Sequence, residues 1–141
     1  MLVTNSITVE KNIEHIRLFN LKNEFIQVIL NLLKNAVDAL IDVFDDDEKF
    51  IIIEAYQDEA NAIITISDTG GGIPVKIMNR IFEPYFTTKH QSQGTGIGLF
   101  MSMEIVSKHM KGFIGVDNIE IKRNGTYLTG ASFRITIPLE Y

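Results

Sequence analysis

The sequence predicts an α+β fold, with helices packed on one face of a mostly antiparallel or mixed sheet. Two observations carry this. Residues 21–42 and 97–111 repeat apolar side chains at helical spacing. FIIIEAY, AIITISD, GFIGVDNIEI and ASFRITIPL are β-rich runs joined in pairs by short polar connections, the mark of hairpins. At 141 residues the chain fits one domain, residues 1–141, with enough length for a core of its own.

In chain order, SITVE alternates and predicts a strand near a sheet edge, and HIRLF predicts a second short strand. The first helix gathers Phe25, Val28, Ile29, Leu32, Leu33, Ala36 and Leu40 on or near one face. DVFDDDEK ends it. Its acids Asp42, Asp45, Asp46, Asp47 and Glu48 lack the central Gly and distal Glu of a calcium loop and read as a solvated connector. FIIIEAY and AIITISD form a hairpin across QDEAN, and TGGGIP after Asp68 is a tight glycine loop. PVKIMNRIF reads as a short helix opened by Pro74, and EPYFTTKHQSQGTG as irregular. The second helix repeats Leu99, Met103, Val106 and Met110, with Gly112 as its stop signal. KRNGTYLTG joins the last two strands, with its turn at Asn124-Gly125.

Composition narrows the function. Without cysteine there are no disulfides and no thiolate metal sites. The net charge of −5 weighs against nucleic acid as a partner. It leaves a nucleotide open, because a few local donors and a cation hold a triphosphate. No apolar run approaches the ~20 residues of a membrane helix. MLVTNSITVEKN lacks the basic start and apolar core of a signal peptide. A cytoplasmic domain without membrane contact is expected, whether or not a parent protein is anchored.

Three segments could carry chemistry. In NLLKNAVDA, Asn31, Asn35 and Asp38 form one polar stripe along the first helix, although Asn and Asp are mediocre helix formers. A side-chain amide oxygen is a neutral, hard ligand suited to magnesium, which takes the rest of its shell from water and phosphates. Two Asn at this spacing also occur by chance. Asp68 ends an apolar strand. It is either a turn-forming residue or an acceptor for an exocyclic amine such as adenine's, with Gly70 and Gly72 letting a flat base approach. Gly94, Thr95, Gly96, Gly98 and Leu99 lie where the second helix opens, a place that leaves backbone N–H groups for phosphate. This segment is neither a Walker A sequence nor a dinucleotide fingerprint, and a plain turn would look similar.

NLLKNAVDA, DTGGGIP, IFEPYFTTK and GTGIGL, in that order, resemble the N box, first glycine box, F box and second glycine box of sensor histidine kinases. The resemblance runs from about residue 20 to 138. It is nearest to the subgroup with FEPFFTTK-type F boxes, with Tyr85 in place of the first Phe of the pair. It implies the Bergerat fold, a two-layer α/β sandwich shared with type II topoisomerases, mismatch-repair ATPases and a heat-shock chaperone family. It further implies ATP as substrate, with Asn35 coordinating magnesium and Asn31 beside it. Asp68 would bind the adenine amine, and Gly70, Gly72 and Ile73 would shape the base pocket. Asp38 would border the nucleotide. Lys89 would contact phosphate together with Gly94, Thr95, Gly96, Gly98 and Leu99. Residues 83–96 would form a mobile lid, with Phe82, Tyr85 and Phe86 packing it. Many related kinases carry Lys and Tyr where this chain has Asp38 and Ala39. The phosphate-contacting lysine is thus missing, and Lys34 faces another side of the helix.

ATPases of this fold place a Glu general base four residues before the magnesium Asn. Here that position is Asn31, which cannot accept a proton. Slow hydrolysis and transfer to a protein nucleophile are therefore expected. In the family that nucleophile is a histidine on a separate helical-hairpin domain, in a segment like HELRTPL. His15, His90 and His109 do not resemble it. The resemblance implies a piece of a longer sensor kinase, with the dimerisation and sensory parts elsewhere and a response regulator downstream. A free-standing serine kinase of the anti-sigma-factor type, which lacks the FEPYFTTK motif, is an alternative. A nucleotide-binding module without transfer is another.

Overall fold

The computed structural model describes residues 7–18, 22–41, 48–86 and 97–139. Five strands form one sheet in the order β1-β2-β3-β5-β4: β1 (Ile7–Ile13), β2 (Lys49–Gln57), β3 (Asn61–Asp68), β4 (Phe113–Arg123) and β5 (Thr126–Pro138). β1 is an edge strand and runs parallel to β2, because helix α1 (Lys22–Ile41) lies between them in sequence and returns the chain to the same end of the sheet. The other three pairings are antiparallel. The sheet is thus mixed and mostly antiparallel, as the paired β-rich runs predict.

The two hairpins follow from their turn residues. Asp58 accepts the N–H groups of Ala60 and Asn61, which closes the β2–β3 connection. Asn124 and Gly125 both take positive φ, 55° and 79°, the handedness a two-residue hairpin needs. The turn is therefore only two residues long. Most of KRNGTYLTG, expected to be loop, is strand instead, because Thr126, Leu128 and Gly130 pair with Arg123, Ile121 and Ile119.

The core lies between one sheet face and the helices. Val28, Leu32, Ala36 and Leu40 line the buried face of α1. They meet Ile51, Ile64 and Ile66 and the β5 residues Phe133, Ile135 and Ile137. Each of the larger of these side chains contributes ~1.5–3 kcal/mol on full burial, and Ala36 less. The expected helix over 97–111 is divided. Helix α2 (Gly98–Glu104) is followed by a π-helical turn (Ile105–His109), in which Met110 N–H reaches back to Ile105 O. Lys111, not Gly112, takes the left-handed conformation that ends it, at φ 59°. Gly112 has a different cause: a Cβ there would lie 2.1 Å from Thr136 O. PVKIMNRIF forms a 3₁₀ helix (Val75–Arg80) preceded by Pro74.

Over its described residues, 15–18, HIRLF does not form a second strand. Residues 14–18 have no regular structure, and Ile16 and Leu18 pack against the core as part of the connection. Alternation here reflects a segment lying on the core rather than a ladder. The acidic connector from Asp42 to Asp47 lies outside the described residues. Among those described, no helix is long and apolar enough to cross a membrane.

At the far end of the sheet, Glu10 of β1 meets Arg123 of β4, with Arg123 Nη2 to Glu10 Oε1 at 2.7 Å and Arg123 Nε to Glu10 Oε2 at 3.0 Å. Hydrogen bonding from Arg123, more than its charge, holds the Glu10 carboxyl below its usual range.

Candidate functional site

Helix α1 carries Asn31, Asn35 and Asp38 and touches Gly98 and Gly70 of the two glycine segments. Its polar stripe runs between the core face and solvent. At Asn31 it reaches α2: Asn31 Nδ2 donates to Ser102 Oγ at 3.1 Å and to Gly98 O at 3.3 Å. A carbonyl only accepts, so Gly98 O fixes which way the Asn31 amide points. Asn31 Oδ1 accepts from Gln27 Nε2 at 2.9 Å. Asn31 thus braces two helices as well as bordering Asn35, one turn further on the same stripe. Asp38, the third polar residue, pairs with Lys34 Nζ at 3.0 Å, its side chain largely shielded. Lys34 therefore serves Asp38.

Past Asp38, α1 reaches the first glycine segment. A Cβ on Gly70 would stand 2.9 Å from that of Ala39, so only glycine lets the loop lie against the helix there. The loop begins at Asp68, which is 2% exposed at the end of β3. Asp68 Oδ1 accepts from Gly70 N–H at 2.8 Å and Ala131 N–H at 3.4 Å. The turn-forming reading and the binding reading of Asp68 are thus compatible, since the turn fixes the carboxylate in place. Thr69 Oγ1 accepts from Phe50 N–H and ties the loop to β2. Gly72 has φ +83° and is followed by Ile73, which packs against the core.

The aromatic residues of FEPYF divide. Phe82 packs edge-on against Phe133, with centroids 6.2 Å apart. Phe86 carries the Arg80 guanidinium over its ring at 4.4 Å. Tyr85 is exposed, with a backbone φ of 67°. Leu99 is half-buried and packs against the core. Lys89, Gly94, Thr95 and Gly96 lie outside the described residues, as does most of the expected lid over 83–96. His90 does too. His15 stands in the irregular connection, and His109 at the end of the π turn pairs with Glu24 of α1.

Four residues were not singled out by the motifs. Ser102 is fully buried and anchors Asn31. Thr69 anchors the loop. Asn118 pairs with Ile73 through both its side-chain polar atoms. Gly130 lies where a Cβ would fall 1.6 Å from Asp68 O. A lone glycine inside a strand run is a signal of close backbone approach and could have flagged Gly130. The others carry no sequence signal of their own.

No group of three His, Cys, Asp or Glu positioned to hold a metal occurs among the described residues. A metal at the α1 stripe would take few ligands from the protein, and a hard amide oxygen such as Asn35 offers fits magnesium held mainly by phosphates.

Residues 20–141 match the family described as "Histidine kinase-, DNA gyrase B-, and HSP90-like ATPase". Sporulation kinase A of Bacillus subtilis is 40% identical over 83% of this chain and 17% of its own length. Sensor histidine kinase ZraS of Salmonella typhi is 39% identical over 80% of this chain and 21% of its own. The chain thus spans about a fifth of those curated relatives. Among solved structures, the catalytic domain of histidine kinase ThkA superposes with a TM-score of 0.75 at 26% identity, covering 94% of this chain and 80% of that one. The mycobacterial sensor histidine kinase MprB shares the fold, with a TM-score of 0.77 at 24% identity over 94% of this chain and 83% of that one.

Proposed function

We propose a function from one premise: this chain belongs to the histidine kinase-, DNA gyrase B- and HSP90-like ATPase family, as a catalytic ATP-binding domain of the sensor histidine kinase kind. It binds ATP with magnesium and transfers the γ-phosphoryl group to a histidine on a separate helical-hairpin domain of the same kinase. A response regulator receives the group downstream. The observation that carries this reading is the course of α1 between two glycine segments. Asn31 touches Gly98 at one end, and Ala39 abuts Gly70 at the other. The helix between them covers about 12 Å of axis, enough for a nucleotide to lie along it.

In this reading Asp68 accepts a hydrogen bond from the adenine amine, with Gly70, Gly72 and Ile73 around the base. Asn35 holds magnesium, with Asn31 beside it, and Asp38 borders the nucleotide. Lys89, Gly94, Thr95, Gly96, Gly98 and Leu99 lie on the phosphate side. Bound magnesium supplies neutralisation of phosphate charge. The bond from the γ-phosphorus to the ADP oxygen breaks, a bond to the histidine nitrogen forms, and the ring proton passes to solvent. The protein's part is alignment and electrostatics. Asn31 does not take a proton from water, which keeps hydrolysis slow beside transfer.

Calorimetry with ATP tests the binding step. Affinity should depend on magnesium, and Asn35→Ala should remove that dependence. Equal affinity with and without magnesium would take Asn35 out of this role. With labelled ATP, acid-labile label should appear only when the histidine-hairpin domain is added. Label on His15, His90 or His109 of this chain alone would misplace the acceptor.

A further inference from the structure

The loop after β3 is tied to the β4–β5 hairpin at two points. Gly71 N–H donates to Thr129 O at 2.9 Å. Asn118, on β4, accepts from Ile73 N–H at 2.8 Å and donates to Ile73 O at 2.8 Å. A carboxamide holds a donor and an acceptor side by side, so one Asn can pair with both polar groups of one backbone residue. Gly72 lies between these points, and a Cβ there would stand 2.8 Å from Asn118 Oδ1. The bare α-carbon at 72 is therefore a condition of the clamp. The register of the hairpin carries the same strand pair to the start of the loop. Asn118 is opposite Ala131, whose N–H donates to Asp68 Oδ1. One cross-strand pair thus holds Asp68 at the entrance of the loop and Ile73 at its exit.

We propose that Asn118 is a positioning residue for the nucleobase slot. By pairing with Ile73 it sets the separation of Ile73 from Asp68, and with it the affinity for the adenosine part of the nucleotide. This rests on the reading of Asp68 as the base-recognising residue. Asn118 is exposed, so water competes for its hydrogen bonds and its loss costs the fold little. Its effect is on the local order of residues 70–74. Nucleotides that share adenine should respond equally, whatever their phosphates.

The test uses backbone amide exchange and calorimetry with ADP and ATP, without magnesium. In the unsubstituted protein the Ile73 amide should exchange slowly although it lies in a loop; exchange at the rate of an open chain would overturn the inference without any variant. Asn118→Ala should speed Ile73 exchange and leave the β3 amides of Ile64 and Ile66 unchanged. It should weaken ADP and ATP by the same factor, roughly three- to tenfold for two exposed hydrogen bonds lost. Asn118→Asp keeps an acceptor for Ile73 N–H but offers no donor to Ile73 O, and should also weaken both nucleotides equally. Asp68→Asn is measured beside them. If it weakens ADP while both Asn118 variants bind as the parent does, the base reading stands and the role of Asn118 falls. If Asp68→Asn changes nothing, the base reading falls and this inference with it.

Discussion

Around Asp68 backbone lies against backbone, and around Asn31 side chain meets side chain. A Cβ on Gly130 would fall 1.6 Å from Asp68 O, whereas one on Gly98 would lie 3.9 Å from Asn31 Cγ, an ordinary contact. Asn31 is held by Gln27, Ser102 and Gly98 through hydrogen bonds that longer or shorter side chains could partly replace. The first region is shaped by exclusion at Gly70 and Gly130, which admit no added atom. The second is shaped by polar pairing and has room. A flat, rigid base calls for the first kind of surface, and a flexible chain of phosphates for the second.

Substitutions can break or sharpen this contrast. The largest expected effect is Gly130→Ala. The new methyl meets a backbone carbonyl that cannot swing aside, so the strand must shift, at a cost of about 3 kcal/mol or more. Chemical denaturation measures it, and a loss under about 1 kcal/mol would show that β5 gives way easily. Next is Ser102→Ala. It removes one acceptor from Asn31 Nδ2 in a fully buried position and should cost about 1 kcal/mol, read from the same denaturation midpoint. Gly98→Ala should come third, within about 0.5 kcal/mol of the parent, because the methyl makes only an ordinary contact with Asn31 and alanine favours the helix. A large loss there would erase the difference between the two regions.

The smallest effect lies outside both. The Glu10 carboxyl is held below its ordinary value of 4.5 by the hydrogen bonds from Arg123. Its contribution is present above the unfolded value and fades as pH falls through the lower folded one. Glu10→Gln should therefore lower stability slightly near neutrality, and its profile should converge with the parent's as pH falls below about 4.5. A parallel downward shift of the curves across the acid range would remove the pair from this role.

The fold was largely legible because its signals are local. The apolar face of α1, the β-rich runs of β2 and β3, and Asn124-Gly125 each act within a few residues. Of the proposed site, Asn31, Asn35, Asp68 and Gly70 could be named from the sequence because they belong to contiguous boxes. Ser102 and Asn118 were not, because each matters only through a partner far along the chain: Asn118 is 45 residues from Ile73, and Ser102 is 71 from Asn31. HIRLF failed for the complementary reason. Two apolar residues at alternate positions fit a strand and a core-packed connection equally well, and only the tertiary setting decides.

The clasp between Glu10 and Arg123 joins residues 113 positions apart, across opposite edges of the sheet. The two hairpins need only short closures, so they are expected to assemble early, and this contact only once every strand between is in register. A contact made after the rate-limiting step has little influence on how fast the chain folds. It slows escape from the native state instead. The surface pair that adds least at equilibrium would then act as a latch in time. In a chevron plot, Arg123→Ala should steepen nothing and leave the refolding limb in place, while the unfolding limb rises.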